Sequence, residues 1–458
     1  MLDFIWNTAA FIIALSILVA IHEYGHFWVA RRCNVKVHRF SIGFGKVLFK
    51  KLDKQGTEFV IAAIPLGGYV KMLDGRVEEV PEELSEFAFD KKTVWQRIAI
   101  VAAGPIANFL LAIVAFFLMY TIGVNSAKPI ISNVVENSPA SVVSEQKQFQ
   151  ITAVNGQVVN DWEALNLQLV DQIGESNFEL SIMPLLRTDS QIVNEPRQTY
   201  TVSLDNWKFD PKKESVISSL GFVPYSPKVY LVADSVADDS ASQRSGLTVG
   251  DKLISIDGVK LNDWQQFVQI IQKNANQSLK LTIERSGDDK VLTLVPDSRE
   301  VNDGVLQGYI GLAPKVDAYP DQFRVSLKYG LIESFTKGID KTWQLTELTF
   351  STLVKLVTGD LSVKNLSGPV GIAKGAGMSA DFGLAYFLGF IALISVNLGI
   401  MNLIPLPVLD GGHLMYYFIE AITGKAVSEK VQEVGFKIGA AVLMTFMSIA
   451  ILNDFNLL

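Results

Sequence analysis

The hydrophobic pattern divides this chain before any single residue does. Residues 4–30, 94–124, 384–404 and 434–452 are runs rich in Ile, Leu, Val, Ala and Phe with few charges. Each is long enough to cross a bilayer as a helix. The first has no basic leading segment, and a His-Glu-Tyr-Gly-His stretch stands where a small-residue cleavage site would be. It therefore reads as a retained span and not as a removed signal peptide. Between the first two runs, residues 58–64 form a short apolar strand-like segment, and Gly67-Gly68 is expected to break it, as in a hairpin.

The long polar stretch between the second and third runs has a different pattern, with short β-rich segments around one helix, and it repeats with a period of 102. Asn155-Gly156 aligns with Asp257-Gly258, Asn160-Asp161-Trp162 with Asn262-Asp263-Trp264, and Ser138 with Ser240, all without a gap. After the repeats, residues 335–357 carry Trp343, Leu345, Leu348, Phe350, Leu353 and Val354 among polar residues, the pattern of an amphipathic helix on a membrane face. A gate or clamp role and packing against the repeats both remain open for it. The expected fold is an α-helical membrane protein with four transmembrane helices, a β-hairpin in the first loop, and two β-rich modules inserted between spans two and three. The expected divisions are 1–124 and 381–458 for the two membrane halves, 125–220 and 221–318 for the modules, and 319–380 for the amphipathic helix and a linker.

Composition agrees with this plan: 49% of the 458 residues are hydrophobic, while 19% are charged and require water-exposed parts. A net charge of -7 argues against nucleic acid as a partner. The single cysteine, Cys33, rules out an intrachain disulfide, and beside Arg31-Arg32 it reads as a bystander. Basic residues crowd the loop between spans one and two (Arg31, Arg32, Lys50, Lys51, Lys91 and Lys92 among them), and Lys425, Lys430 and Lys437 mark the loop between spans three and four. Both loops should then be cytoplasmic, with the modules and both termini on the other side.

The chemistry lies in His22-Glu23-Tyr24-Gly25-His26, inside the first apolar run. Residues four apart share a helix face, so His22 and His26 can offer two imidazoles to one metal ion, with Glu23 beside them to polarise a water. Ionisable groups inside a span are usually functional. A catalytic zinc needs a third protein ligand and an open position. Asp410 is the candidate, in Asn402-Leu403-Ile404-Pro405-Leu406-Pro407-Val408-Leu409-Asp410-Gly411-Gly412-His413, and charge patterning puts it on the same membrane side as the histidines. Pro405 and Pro407 should open the chain into extended backbone, and Gly411-Gly412 should permit a turn that brings the carboxylate inward. Asp410 as a helix cap is the competing reading. His413, beyond the turn, reads as a supporting or bystander residue. An aspartyl protease would need a second aspartate deep in a span, and none stands there.

These residues resemble the site-2 protease family of intramembrane zinc metalloproteases. The likeness rests on the His22–His26 motif, Ser41-Ile42-Gly43-Phe44-Gly45, Pro65-Leu66-Gly67-Gly68-Tyr69-Val70-Lys71-Met72, Asn365-Leu366-Ser367-Gly368-Pro369-Val370 and the Asn402 to Gly412 run, in family order over nearly the whole chain. The resemblance implies that His22, His26 and Asp410 hold Zn2+ and that Glu23 is the general acid/base. It implies substrate contacts from Asn402, Tyr69, Gly43, Gly45, Pro405 and Pro407, with the segment around Tyr69 in a membrane-associated β-hairpin that presents substrate. It further implies a bacterial inner membrane location, with membrane lipid around the spans. Its substrate would be a transmembrane protein, a pre-trimmed single-pass anti-sigma factor, with remnant signal peptides as a second class. The second repeat, from Ser245 to Gly258, resembles the circularly permuted PDZ modules of bacterial proteases. The first departs from it, with Ser144-Glu145 and Gln148-Phe149 where the second has Gly246-Leu247 and Gly250-Asp251. Both modules could act by steric shading alone, since a fold does not establish a function.

Two rivals come from other classes. A non-catalytic PDZ membrane scaffold has no need of His22, Glu23, His26 and Asp410 together. A metal transporter would want polar residues along several spans, and in span two Asn108, within Gly104-Pro105-Ile106-Ala107-Asn108, is the exception, expected to bond to a neighbouring helix or the active-site region.

Overall fold

The computed structural model describes residues 2–187, 192–205, 207–209, 214–301, 305–358 and 368–455. Its elements run α1 (Leu2–Arg32), β1 (Val37–Leu52), β2 (Glu58–Met72), α2 (Val94–Ile122), α3 (Trp162–Asp171), α4 (Trp264–Lys273), α5 (Leu331–Thr358), α6 (Pro369–Asp381), α7 (Leu384–Leu403), α8 (Asp410–Thr423) and α9 (Glu429–Asp454), with short strands and turns between. Four helices, α1, α2, α7 and α9, are long and apolar enough to cross a membrane. This is an integral membrane protein. A helix satisfies every backbone donor within itself, which an apolar surrounding requires. At the start of α2, Thr93 and Gln96 form a reciprocal capping box.

Small residues set the packing distances, because apolar lipid gives no hydrophobic drive for helices to meet. Ala14 and Leu18 of α1 pack with Ile391 of α7, and Ala112, Ala115 and Phe116 of α2 with Ala392, Val396 and Ile400 of α7. α9 is held mainly near its two ends. Gly435 and Gly439 lie against Pro407, and Asp454 accepts bonds from the backbone N–H of Gly368 (2.9 Å) and Val370 (2.8 Å) at the start of α6. Gly368 thus has a role in joining α6 to α9, while Asn365, Leu366 and Ser367 of the same motif lie outside the described residues.

α5 is amphipathic as expected, yet it has two apolar sides. One packs on α2 and α7: Gly338 approaches the Ile113 carbonyl, Leu345 is buried, and Thr349 donates to Asn397 at 2.8 Å. The other leaves Ile332, Phe335, Ile339, Trp343, Phe350 and Val354 exposed. A third contact reaches the first module, where Lys341 pairs with Glu163 at 3.2 Å and Ser351 donates to Asp171 at 2.8 Å.

The first-loop hairpin is more folded than its sequence predicts. β2 runs through Gly67-Gly68 without a break. The glycines let β2 swing around β1, so that residues 39–42 lie between two stretches of the same strand: Ser41 is opposite both Val60 and Tyr69, and Ile42 opposite both Ile61 and Gly68. Residues 47–52 fold back outside, with Leu52 opposite Glu58. The stretch 68–72 is therefore a sheet edge.

Each repeat builds its own sheet. The first follows the order Phe222–Pro224, Ile130–Val134, Phe149–Val154, Asn177–Arg187, Ile192–Asn194, and the second Asp288–Leu294, Leu279–Arg285, Lys252–Ile256, Val229–Val236, Leu312–Val316. Residues 222–224 pair with 131–134, so the first sheet extends past the boundary expected at 220. The repeat is visible in the backbone: Asn155-Gly156 and Asp257-Gly258 both take positive φ (46 and 76, 47 and 80), and Asp161 and Asp263 both cap ten-residue helices. Where the chain leaves α2 and returns to α5, Val124–Ala127 pairs with Arg324–Leu327 and closes the insertion at its root.

In the second module Asp251 is 1% exposed and accepts from Arg285 Nε and Nη2 (2.7 Å each) and from the Thr248 backbone N–H (2.8 Å). Burial alone would raise this carboxyl, and these bonds hold it below its ordinary value. A carboxylate depressed in the folded state stabilises above its unfolded pKa and loses that contribution as pH falls through the folded one. Arg285→Ala should therefore destabilise the second module at neutral pH, because it leaves the buried Asp251 carboxylate without its charged partner. In hydrogen exchange of the full chain, the gap between variant and wild type should narrow as pH drops below the carboxylate range.

Candidate metal centre

His22 and His26 lie one turn apart on α1, their ring centroids 4.8 Å apart and each residue 9% exposed. Space for them comes from the facing helix. A Cβ at Gly104 of α2 would stand 2.3 Å from His26 Nε2 and 2.8 Å from His22 Cε1, so only hydrogen fits. Gly25, between the histidines, faces Ala103, where a Cβ would be 2.3 Å from the backbone oxygen. The close approach of α1 to α2 thus forms the pocket and packs its wall. His26 Nδ1 lies 2.8 Å from the Ile100 carbonyl, which accepts its proton and leaves Nε2 free as a ligand.

The carboxylate arrives from the other end of the chain. α7 stops at Leu403 before the prolines. Instead of extended backbone, residues 404–409 form a compact turn, with Leu406 N–H donating to Ile404 (2.7 Å) and Leu409 N–H to Leu406 (2.8 Å). Asp410 is the first residue of α8, and Leu409 occupies the cap position. Gly411 and Gly412 are not needed for their backbone angles, which are ordinary; a Cβ on either would stand 2.3–2.4 Å from carbonyls of Leu403, Ile404 or Leu406. They let the start of α8 nest in the loop, which aims Asp410 at α1. The far end of α8 is pinned by a two-pronged ion pair from Arg97 of α2 to Glu420 (2.7 and 3.1 Å).

The result is a three-atom cluster. Asp410 Oδ2 lies 3.2 Å from His22 Nε2 and 3.4 Å from His26 Nε2, and the two ring nitrogens are 3.2 Å apart. Tetrahedral ligands at zinc bond lengths are about 3.3 Å from one another. Asp410 Oδ2 is buried with no hydrogen-bond partner assigned among the described residues, and the three atoms are close enough to one another to share one metal ion. Two neutral imidazoles and one carboxylate are a donor set that suits zinc.

Glu23 sits beside the cluster, within electrostatic range of His22, His26 and Asp410. The hairpin comes up to it: a Cβ on Gly68 would be 2.9 Å from Glu23 Cγ and 2.7 Å from the Ser41 carbonyl. Gly68, at the start of the sheet edge 68–72, therefore packs against the Glu23 side chain. Tyr69 stacks on Phe44 at 6.1 Å and accepts from Arg39 at 3.3 Å. Gly43 (φ +90) and Gly45 (φ +83) allow β1 to bend there. Asn402 is on the last turn of α7, Pro405 is exposed, and Pro407 faces Gly435 and Gly439 of α9. His413 stands apart from the three ligand atoms. Residue-by-residue reading missed Gly104, the Ile100 carbonyl and the Arg97–Glu420 pair, which act only through the folded arrangement.

The model of peptidase family M50 matches residues 10–446. A Vibrio cholerae protein whose name describes a zinc metalloprotease is 48% identical over 456 residues, all of both chains. A similarly named protein of Pasteurella multocida is 50% identical over 99% of each. The regulator of sigma-E protease RseP of Escherichia coli is 48% identical over 100% of each. A solved PDZ domain of an SdrC-like protein from Listeria monocytogenes is similar to 20% of this chain and 90% of its own, at 21% identity and a TM-score of 0.16.

A methyl group at Gly104 would occupy the cluster itself. Gly104→Ala should purify with zinc content near zero, whereas Gly330→Ala, which meets nothing within 4 Å, should match wild type in metal analysis.

Proposed function

The chain belongs to peptidase family M50, the site-2 proteases, and we propose that it is an intramembrane zinc metalloendopeptidase using His22, His26 and Asp410 as ligands and Glu23 as general acid/base. The observation that carries this reading is the convergence of the two Nε2 atoms and Asp410 Oδ2 at 3.2–3.4 Å, around a point beside Glu23. His22, His26 and Asp410 would hold the metal, a three-residue set of the kind that catalytic zinc sites use. Bound zinc would supply Lewis acidity, polarising the scissile carbonyl and making water acidic enough to attack near neutral pH. Glu23 would accept a proton from the attacking water and deliver it to the leaving amine.

Substrate is held by strand addition. A transmembrane helix shields its own amides, so it must be unwound to be cut. The edge at 68–72 offers unpaired backbone groups to an extended peptide beside Glu23. Tyr69 with Gly43 and Gly45 shapes that edge, while Asn402, Pro405 and Pro407 line the approach from α7. The substrate is a single-pass membrane protein, an anti-sigma factor trimmed beforehand, with remnant signal peptides as a second class. The name of the Escherichia coli relative, a regulator of sigma-E protease, supports this choice. The location is the bacterial inner membrane, with basic loops in the cytoplasm, the cluster near that side, and two PDZ-like modules outside. The two modules act as a filter against untrimmed proteins. α5 presents Trp343 and its neighbours to the outer leaflet.

With a trimmed single-pass substrate in detergent, wild type should cleave and a zinc chelator should stop it. Glu23→Gln should retain zinc and lose at least about 100-fold in rate, the lower end of general acid–base contributions. Zinc loss in Glu23→Gln, or chelator-resistant cleavage by wild type, would overturn the assignment.

A further inference from the structure

Asn108 is completely buried on α2, and its side chain meets one of the candidate ligands: its amide nitrogen lies 3.0 Å from His22 Nδ1. Its Oδ1 is buried without a hydrogen-bond partner among the described residues. This arrangement conflicts with His22 as a metal ligand. Nε2 faces Asp410, so the neutral ring must carry its proton on Nδ1, and two donors would then meet. An amide's oxygen and nitrogen are nearly the same shape, and which is which follows from the bonds each can make. Turning the Asn108 amide over places Oδ1 where Nδ1–H can donate to it. The turn breaks no productive bond, because the atom now partnerless simply exchanges places. Backbone placement is already secured, since Ser395 of α7 donates to the Asn108 carbonyl at 2.8 Å.

We propose that Asn108 is a positioning residue, its side-chain oxygen accepting the His22 Nδ1 proton and so holding the ring in the tautomer and orientation that offers Nε2 to zinc. It does for His22 what the Ile100 carbonyl does for His26 at 2.8 Å. One helix, α2, then supplies both acceptors. His26 is served by backbone, which a substitution cannot remove; His22 depends on a side chain.

This inference rests on the metalloprotease reading, and the test separates the two. Wild type, Asn108→Leu and Asn108→Asp would be purified in detergent, and zinc affinity measured by chelator competition. The visible spectrum of the cobalt-loaded forms and thermal melts would accompany it. Leu keeps the volume and loses the acceptor; Asp keeps an acceptor oxygen in either orientation. Asn108→Leu should bind zinc about 10–100-fold more weakly with an altered cobalt spectrum, and Asn108→Asp should restore both toward wild type. Wild-type zinc affinity in a folded Asn108→Leu would overturn the proposal, as would equal losses in the two variants. Absence of zinc binding by wild type would instead overturn the metalloprotease reading.

Discussion

Placing two imidazoles and a carboxylate inside an apolar bundle is the constraint on which this architecture depends. Polar groups at that depth are costly unless each finds a partner. The structure answers by bringing α1 and α2 nearly into backbone contact at Gly25 and Gly104, so that the rings fill the gap that glycine leaves. Every ring nitrogen then has an assigned neighbour: Ile100, Asn108 or Asp410. A looser crossing would admit side chains or water where the three ligand atoms now converge.

From that crossing the remaining parts follow as supports. α8 must begin at the cluster, and Gly411 and Gly412 allow it to start inside the loop that ends α7, while Arg97 and Glu420 fix its other end to the same helix that frames the histidines. α2 therefore touches every component of the centre: the gap, the outer neighbours of both rings (Ile100 and Asn108) and the anchor of the helix that carries Asp410. The hairpin is placed against α1 by a third close glycine, Gly68, which lets a sheet edge come within contact of Glu23. An unpaired edge is ordinarily a liability that proteins cover or blunt.

The inserted modules are tied to this centre mechanically as well as by the chain. The short ladder between Val124–Ala127 and Arg324–Leu327 closes the insertion at its root, and α3 of the first module bonds to α5 through Glu163 and Asp171. α5 in turn buries Leu345 among residues of α2 and α7. α5 thus contacts both the first module and the bundle.

The sequence by itself determined the features that depend on local pattern. Four apolar runs specify four helices long and apolar enough to cross a membrane, because a helix is the local answer to burying a backbone in lipid. The four-residue spacing of His22 and His26 puts both rings on one face, and the Asn-Gly and Asp-Gly pairs specify matching turns in the two modules. The tertiary structure decided whatever depends on two distant segments meeting. The distance of Asp410 from His22, the need for hydrogen at Gly104, the role of Gly411-Gly412 in contact and not in turning, and the fold-back of β2 through Gly67-Gly68 are of this kind. The first-module boundary misread at 220 has the same origin, since residues 222–224 join that sheet only by pairing with a strand some ninety positions earlier. Periodicity reports which way a side chain faces; only packing reports what it faces.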